Sequence, residues 1–103
     1  MATARVQHVV SGGPGGELAF VVEVVDGQVS STTVGSDDSA DLVLAERHDD
    51  AERMTAGDLD PDAAFMRGRV KVTGSMGTYM ALLPLFRSDA YRAARAEAAA
   101  TRP

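Results

Sequence analysis

Asp60-Pro61-Asp62-Ala63-Ala64-Phe65-Met66-Arg67-Gly68-Arg69-Val70-Lys71-Val72-Thr73-Gly74-Ser75-Met76-Gly77-Thr78-Tyr79-Met80-Ala81-Leu82-Leu83-Pro84-Leu85-Phe86 is the stretch on which the fold turns. It reads as a short helix, a strand framed by glycines, and a second helix. Asp60 suits an N-cap, Pro61 the first helical position, and Asp62 the positive end of the helix dipole. Gly68 supplies a residue past the helix end that accepts positive φ. Arg69, Lys71 and Thr73 alternate with Val70 and Val72, so the strand has one polar and one apolar face. Gly74 stops the strand and Ser75 can cap the second helix. Met76, Tyr79, Met80 and Leu83 fall at helical spacing, which predicts that they form the inner face of that helix. Pro84 predicts that it kinks or ends near Leu82 or Leu83, aiming Leu85 and Phe86 separately.

The run Asp-Pro…Phe-Met-x-Gly-x-Val-x-Val-x-Gly-x-Met-Gly, residues 60 to 77, resembles the sterol-carrier-protein type of lipid-transfer domain. The likeness extends more weakly back to the strands near residue 17. It implies a five-stranded, mostly antiparallel sheet with helices on one face, and an apolar tunnel between them for a sterol, fatty acyl chain or acyl-CoA. Carried onto this chain, the tunnel is lined from Phe65, Met66, Met76, Tyr79, Met80 and Leu83, with Phe20 and Phe86 beside them. The chain departs from the family pattern in three places. Family members carry a helix ahead of the first strand, whereas here a strand begins near Arg5. The peroxisomal tail of eukaryotic members is not matched by Thr101-Arg102-Pro103, and Pro84 interrupts the tunnel-lining helix.

Upstream of the central stretch, alternation predicts further strands. Val6, His8 and Val10 share one side of a strand from Arg5 to Val10, and Ser11 to Gly16 reads as a flexible hairpin connection. Leu18, Phe20, Val22 and Val24 share one face of Glu17 to Val25, whose other face is only mildly polar, as in a central strand. Asp26-Gly27 is a strong two-residue hairpin signal, returning the chain through Gln28 to Val34. Gly35 to Asp41 reads as a solvated acidic turn, and Leu42 to Ala45 as a short fourth strand. Glu46 to Ala56 reads as a helix stopped by Gly57, and Leu59 is placed to pack on Ala64 as a staple. Downstream, Ser88-Asp89 can cap a last helix from Ala90 to Ala100. Its alanines favour helix, but Tyr91 is its one large apolar anchor. These elements make an α+β domain, one domain over residues 1–103.

Composition narrows the function classes. The chain has 103 residues, no cysteine and a net charge of −5. Disulfides, thiolate metal sites and thiol nucleophiles are excluded. The acidic balance argues against nucleic acid as a partner, since that interaction rewards dense Lys and Arg. No run approaches the roughly 20 apolar residues that span a bilayer. Met1 to Arg5 lacks a signal-peptide core, so a cytoplasmic protein is the expectation. Abundant alanine, arginine over lysine and the absence of isoleucine suggest a GC-rich bacterial genome.

No complete catalytic or metal motif emerges. Thr73-Gly74-Ser75-Met76-Gly77 has the strand–serine–helix layout of a nucleophile elbow but lacks its first glycine, and both histidines, His8 and His48, precede the serine. Ser75 therefore reads as a helix cap. The glycines at 12–16 lack the Lys-Ser/Thr pair of a phosphate loop. His8 and His48 lack ligand spacing, and the acidic turn lacks the ordered ligands of a calcium loop. Neither a cofactor nor a metal is expected. Arg67, Arg69 and Lys71 form a small basic edge, read either as a solvated strand face or as an anchor for an anionic head group. The expectation is a non-enzymatic carrier of an apolar small molecule (lipid, sterol or acyl-CoA). The alternatives are a dimerisation or partner-docking module with a filled core, possible as a homodimer, and a small enzyme using His48 or Ser75.

Overall fold

The computed structural model describes residues 2–101. Five strands, β1 (Ala4–Gly13), β2 (Gly16–Val25), β3 (Gln28–Val34), β4 (Leu42–Arg47) and β5 (Val70–Gly74), form one sheet in the order β3-β2-β1-β4-β5. The described residues also form four helices: α1 (His48–Ala56), α2 (Pro61–Met66), α3 (Met76–Phe86) and α4 (Asp89–Ala100). The β1–β2, β2–β3 and β4–β5 pairs are antiparallel, whereas β4 runs parallel to β1.

The two hairpins arise from local chemistry. Asp26 at φ 51° and Gly27 at φ 76° occupy the left-handed region that a two-residue turn between twisted strands requires. The first hairpin is tighter than the sequence reading: Ser11, Gly12 and Gly13 extend β1 and Gly16 opens β2, leaving Pro14 and Gly15 at the turn. Ladder pairing to Gly13 and Gly16 satisfies backbone groups that an open loop would have left to water.

The connection from β3 to β4 carries the chain from one sheet edge past β2 and β1. It is pinned to Arg5, so the acidic turn is more than a solvated loop. The Arg5 guanidinium contacts both Asp37 and Glu23 at 2.7 Å. The Arg5 amide donates to the Asp41 carboxylate (2.8 Å), and the Asp37 amide donates to the Gln7 side chain (3.0 Å). Ser39 donates to Asp37 through both its hydroxyl and its amide. Those bonds, with the Arg5 contact next in weight, hold the Asp37 carboxyl down at about 2.

At the other side of the sheet Gly74, at φ 119°, is fixed by proximity to β4. A Cβ there would lie 2.4 Å from the Asp41 carbonyl oxygen, closer than any side chain can approach. β4 runs two residues further than the sequence suggested, so α1 begins at His48 and Glu46 is a strand residue. Core-face residues Val6, His8 and Val10 of β1, Leu18, Phe20, Val22 and Val24 of β2, and Leu42, Leu44 and Glu46 of β4 are all buried. The four helices pack over that face.

Candidate functional site

The helices cover the sheet in two different ways, and the difference locates the site. Under α2 and α3 aromatic rings pack against one another. Phe65, Tyr79, Phe86, Tyr91, His8 and Phe20 form a continuous series of ring contacts from α2 to β2. Successive centroids are 5.1 Å (Phe65–Tyr79), 5.5 Å (Tyr79–Phe86), 5.0 Å (Phe86–Tyr91), 5.7 Å (Tyr91–His8) and 4.6 Å (His8–Phe20). Such spacing is that of directly packed rings. Tyr79, Leu82 and Phe86 are the buried residues of α3. Burial, before any charge effect, raises the Tyr79 hydroxyl to about 12.

This arrangement corrects the expected inner face of α3 and the inward placement of the methionines. Met76 and Met80, assigned to the inner face, are 45 and 54% exposed, and Met66 is 81% exposed. Phe65 and Leu83 are half-buried against the core, while Phe20, Tyr79 and Phe86 lie within it. The stripe was displaced because α3 is apolar on nearly every side, so spacing alone offers two equivalent faces. Aromatic pairing selects the face with Tyr79 and Phe86. α3 does not end at Leu82 or Leu83: Pro84 lies inside a helix that continues to Phe86. The missing proline N–H costs the helix one bond to the carbonyl of Met80, and burial of Leu82 and Phe86 holds the last turn in place.

α4 docks through Tyr91, Ala94, Arg95 and Ala98, all buried. Its first turn is capped by Ser88, whose hydroxyl accepts from the Tyr91 amide. Two of its side chains enter a polar network inside the core. Arg95 donates to both oxygens of Glu46, at 2.5 and 3.2 Å, with each side chain almost fully buried. The Tyr91 hydroxyl lies 2.6 Å from His8 Nε2. His8 Nδ1 lies 3.4 Å from Glu46 Oε1, an electrostatic contact longer than a good hydrogen bond. A carboxylate facing Nδ1 assigns the imidazole proton to that nitrogen, so Nε2 accepts from the Tyr91 hydroxyl.

Electrostatics keep this cluster internally neutral. Burial and then the Arg95 charge lower the His8 pKa, against the pull of Glu46, so the ring is neutral. For Glu46 burial acts upward, but Arg95 and His8 outweigh it and the carboxyl stays below its usual range. Burial also drives the Tyr91 hydroxyl upward. Arg95 Nε is buried and has no hydrogen-bond partner among the described residues.

Beside this network the packing opens. A cavity of about 300 Å³ lies between the tips of β1 and β2 and the facing sides of α1 and α4. Val10, Leu18 and Phe20 form its floor. Ala51, Thr55 and Ala56 of α1 and Ala96 and Ala99 of α4 form its walls, with His48, Glu52 and Arg95 completing the lining. Its walls are short side chains, of which Ala56, Ala96 and Ala99 are exposed, so the space opens to solvent between the two helices. A groove of about 380 Å³ near β4 and β5 is lined instead by polar residues, among them Arg47, Asp50, Arg69 and Lys71. There Arg69 pairs with Asp50 at 3.2 Å.

Of the residues expected to bind a ligand, Phe20 alone lines the apolar cavity. The sequence reading missed Glu46, Arg95 and the alanines of α1 and α4. Glu46 was detectable as the next alternate position after Leu42 and Leu44, and Arg95 as the residue one turn after Tyr91. Ser75 occupies the cap position expected of it, its hydroxyl accepting from the Thr78 amide at 3.2 Å. His48 sits 2.8 Å from Glu52 on the next turn of α1. No group of three or more potential metal ligands occurs among the described residues. None of their helices is long and apolar enough to cross a membrane.

Comparison with known proteins agrees with this architecture. A profile described as the SCP-2 sterol transfer family matches residues 2–87. The chain is 38% identical over 74 residues to sterol carrier protein 2 of Homo sapiens, spanning 71% of this chain and 13% of the human protein. The solution structure of sterol carrier protein domain 2 of Helicoverpa armigera matches with a TM-score of 0.67 at 28% identity, covering 85% of this chain and 69% of that one. A conserved hypothetical protein from Thermus thermophilus shares the fold at 18% identity and a TM-score of 0.72, covering 93% of this chain and 71% of the other.

Proposed function

Because the chain belongs to the SCP-2 sterol transfer family, we propose that it is a cytoplasmic carrier of an apolar, lipid-like small molecule. Residues 1–103 act as one domain of this kind. The observation that supports this reading is the cavity between α1 and α4, which is apolar, partly open and adjacent to the hydrophobic core on the sheet. At about 300 Å³ it lies at the lower end of the range of about 300–1,000 Å³ typical of small-molecule sites. That volume suits a single alkyl chain better than two.

Energetics are adequate for reversible loading. Burial of about twelve methylenes contributes roughly 10 kcal/mol at about 0.8 kcal/mol each. Association costs of several kcal/mol reduce this to micromolar affinity. The reading needs no catalytic group, cofactor or metal. Titration with N-phenyl-1-naphthylamine, an uncharged fluorophore that brightens in apolar surroundings, tests it. Saturable enhancement that dodecanol reverses is expected; an unsaturable, unreversed signal overturns the carrier reading.

A second reading, a dimerisation or docking module, is favoured by the exposed Met66, Met76 and Met80. Sedimentation showing a monomer at all concentrations, with Met80→Glu unchanged in behaviour, would remove the homodimer.

A further inference from the structure

Resting on the carrier reading, we propose that the cavity selects uncharged ligands. It favours a single alkyl chain ending in a hydroxyl, ester or ketone over the same chain ending in a carboxylate or bearing phosphates. The argument begins with the polar groups of the lining, which are His48, Glu52, Thr55 and Arg95. Both terminal nitrogens of Arg95 donate to Glu46. His48 Nε2 faces Glu52 at 2.8 Å. The Thr55 hydroxyl donates to the Ala51 carbonyl at 2.8 Å. Both cationic or basic groups of the lining, Arg95 and His48, thus already face a carboxylate of the protein.

Two further features oppose negative charge. Thr55 and Ala56 belong to the last turn of α1, and Ala99 to the last turn of α4. Helix C-termini carry partial negative charge, and these two last turns border the cavity at the side away from His48, the first residue of α1. Glu52 adds a largely exposed carboxylate at the rim, with 69% of its side chain accessible. A second carboxylate placed beside Arg95 would meet Glu46, which already neutralises that guanidinium, in a region where unpaired charge is expensive. The buried Nε–H of Arg95 has no hydrogen-bond partner among the described residues. A hydroxyl or carbonyl oxygen could accept from it without adding charge to the cluster.

Displacement of N-phenyl-1-naphthylamine by 1-dodecanol and by dodecanoate at about pH 8, where the alkanoate is ionised, reads this selectivity. Dodecanol is expected to displace the probe at about tenfold lower concentration than dodecanoate. Glu52→Lys, at an exposed position that leaves the core intact, is expected to improve dodecanoate relative to dodecanol about threefold or more. Equal or better displacement by dodecanoate in the unmodified protein overturns the selectivity and leaves the carrier reading standing. A dodecanoate response unmoved by Glu52→Lys also counts against it. Failure of both compounds, with no saturable uptake of the probe, overturns the carrier reading and the selectivity together.

Discussion

α3 and α4 cover the same sheet face with opposite strategies. α3 brings Tyr79, Leu82 and Phe86 into the core, where the rings of Phe65, Tyr79, Phe86 and Tyr91 pack in series. α4 brings Tyr91 and Arg95 inward at its first turns, then turns alanines toward α1 and leaves a cavity. The helix richest in large apolar residues is thus the solid side of the molecule, and the alanine-rich helix covers the hollow side. Apolar content measures what fills a core; a cavity is made where bulk is missing.

The sharpest way to break this contrast is to cut into the solid side. Phe86→Ala is expected to cost about 3–5 kcal/mol, since it removes a ring packed against two others. Met80→Ala, at an exposed position of the same helix, is expected to change stability by less than about 0.5 kcal/mol. Urea denaturation of both variants checks the pair, and comparable losses would mean that α3 is rotated from the orientation described. On the other side, Glu46→Ala leaves Arg95 buried and unpaired, at an expected cost of about 3–5 kcal/mol. The double variant Glu46→Leu with Arg95→Met should recover most of that loss, because apolar replacement of a buried pair is commonly neutral or favourable. A double variant as unstable as the single one would assign the network a larger role in holding α4 to the sheet.

Smaller effects sharpen the comparison. Ser75→Ala removes the α3 cap and should cost about 1 kcal/mol in the same assay. Acidification should weaken the α4 side. The folded protein holds His8 below its ordinary value of 6.5, so the unfolded chain binds a proton first as pH falls through that value. Stability from this group is therefore complete above about 6.5 and declines below it. Glu46, held below its ordinary 4.5, adds a second loss as pH drops under that value. Thermal melting across this range should show His8→Gln flattening the first decline and sparing the second; an unchanged profile would mean that His8 is not the group responsible.

Much of this was legible in the sequence, for identifiable reasons. Alternation along Leu18 to Val24, the Asp26-Gly27 turn and the glycine-bounded strand before α3 specify the sheet through local rules. The inner face of α3 was not legible, because Met76, Tyr79, Met80 and Leu83 form as good a stripe as Tyr79, Leu82, Leu83 and Phe86. Ring contacts with residues from α2 and α4 decide between them. The Glu46–Arg95 pair joins residues 49 positions apart, and its formation depends on β4 extending past Ala45. The cavity left the weakest trace, since Ala51, Ala56, Ala96 and Ala99 look like ordinary helix formers until two helices place them face to face.

The claim that ligand space lies beneath α4 and not behind α3 is tested most directly by filling each place in turn. N-phenyl-1-naphthylamine binding should fall at least about tenfold in Ala99→Trp, where an indole occupies the cavity, and remain within about twofold in Met80→Trp. Retained binding in Ala99→Trp, or loss confined to Met80→Trp, would contradict the account.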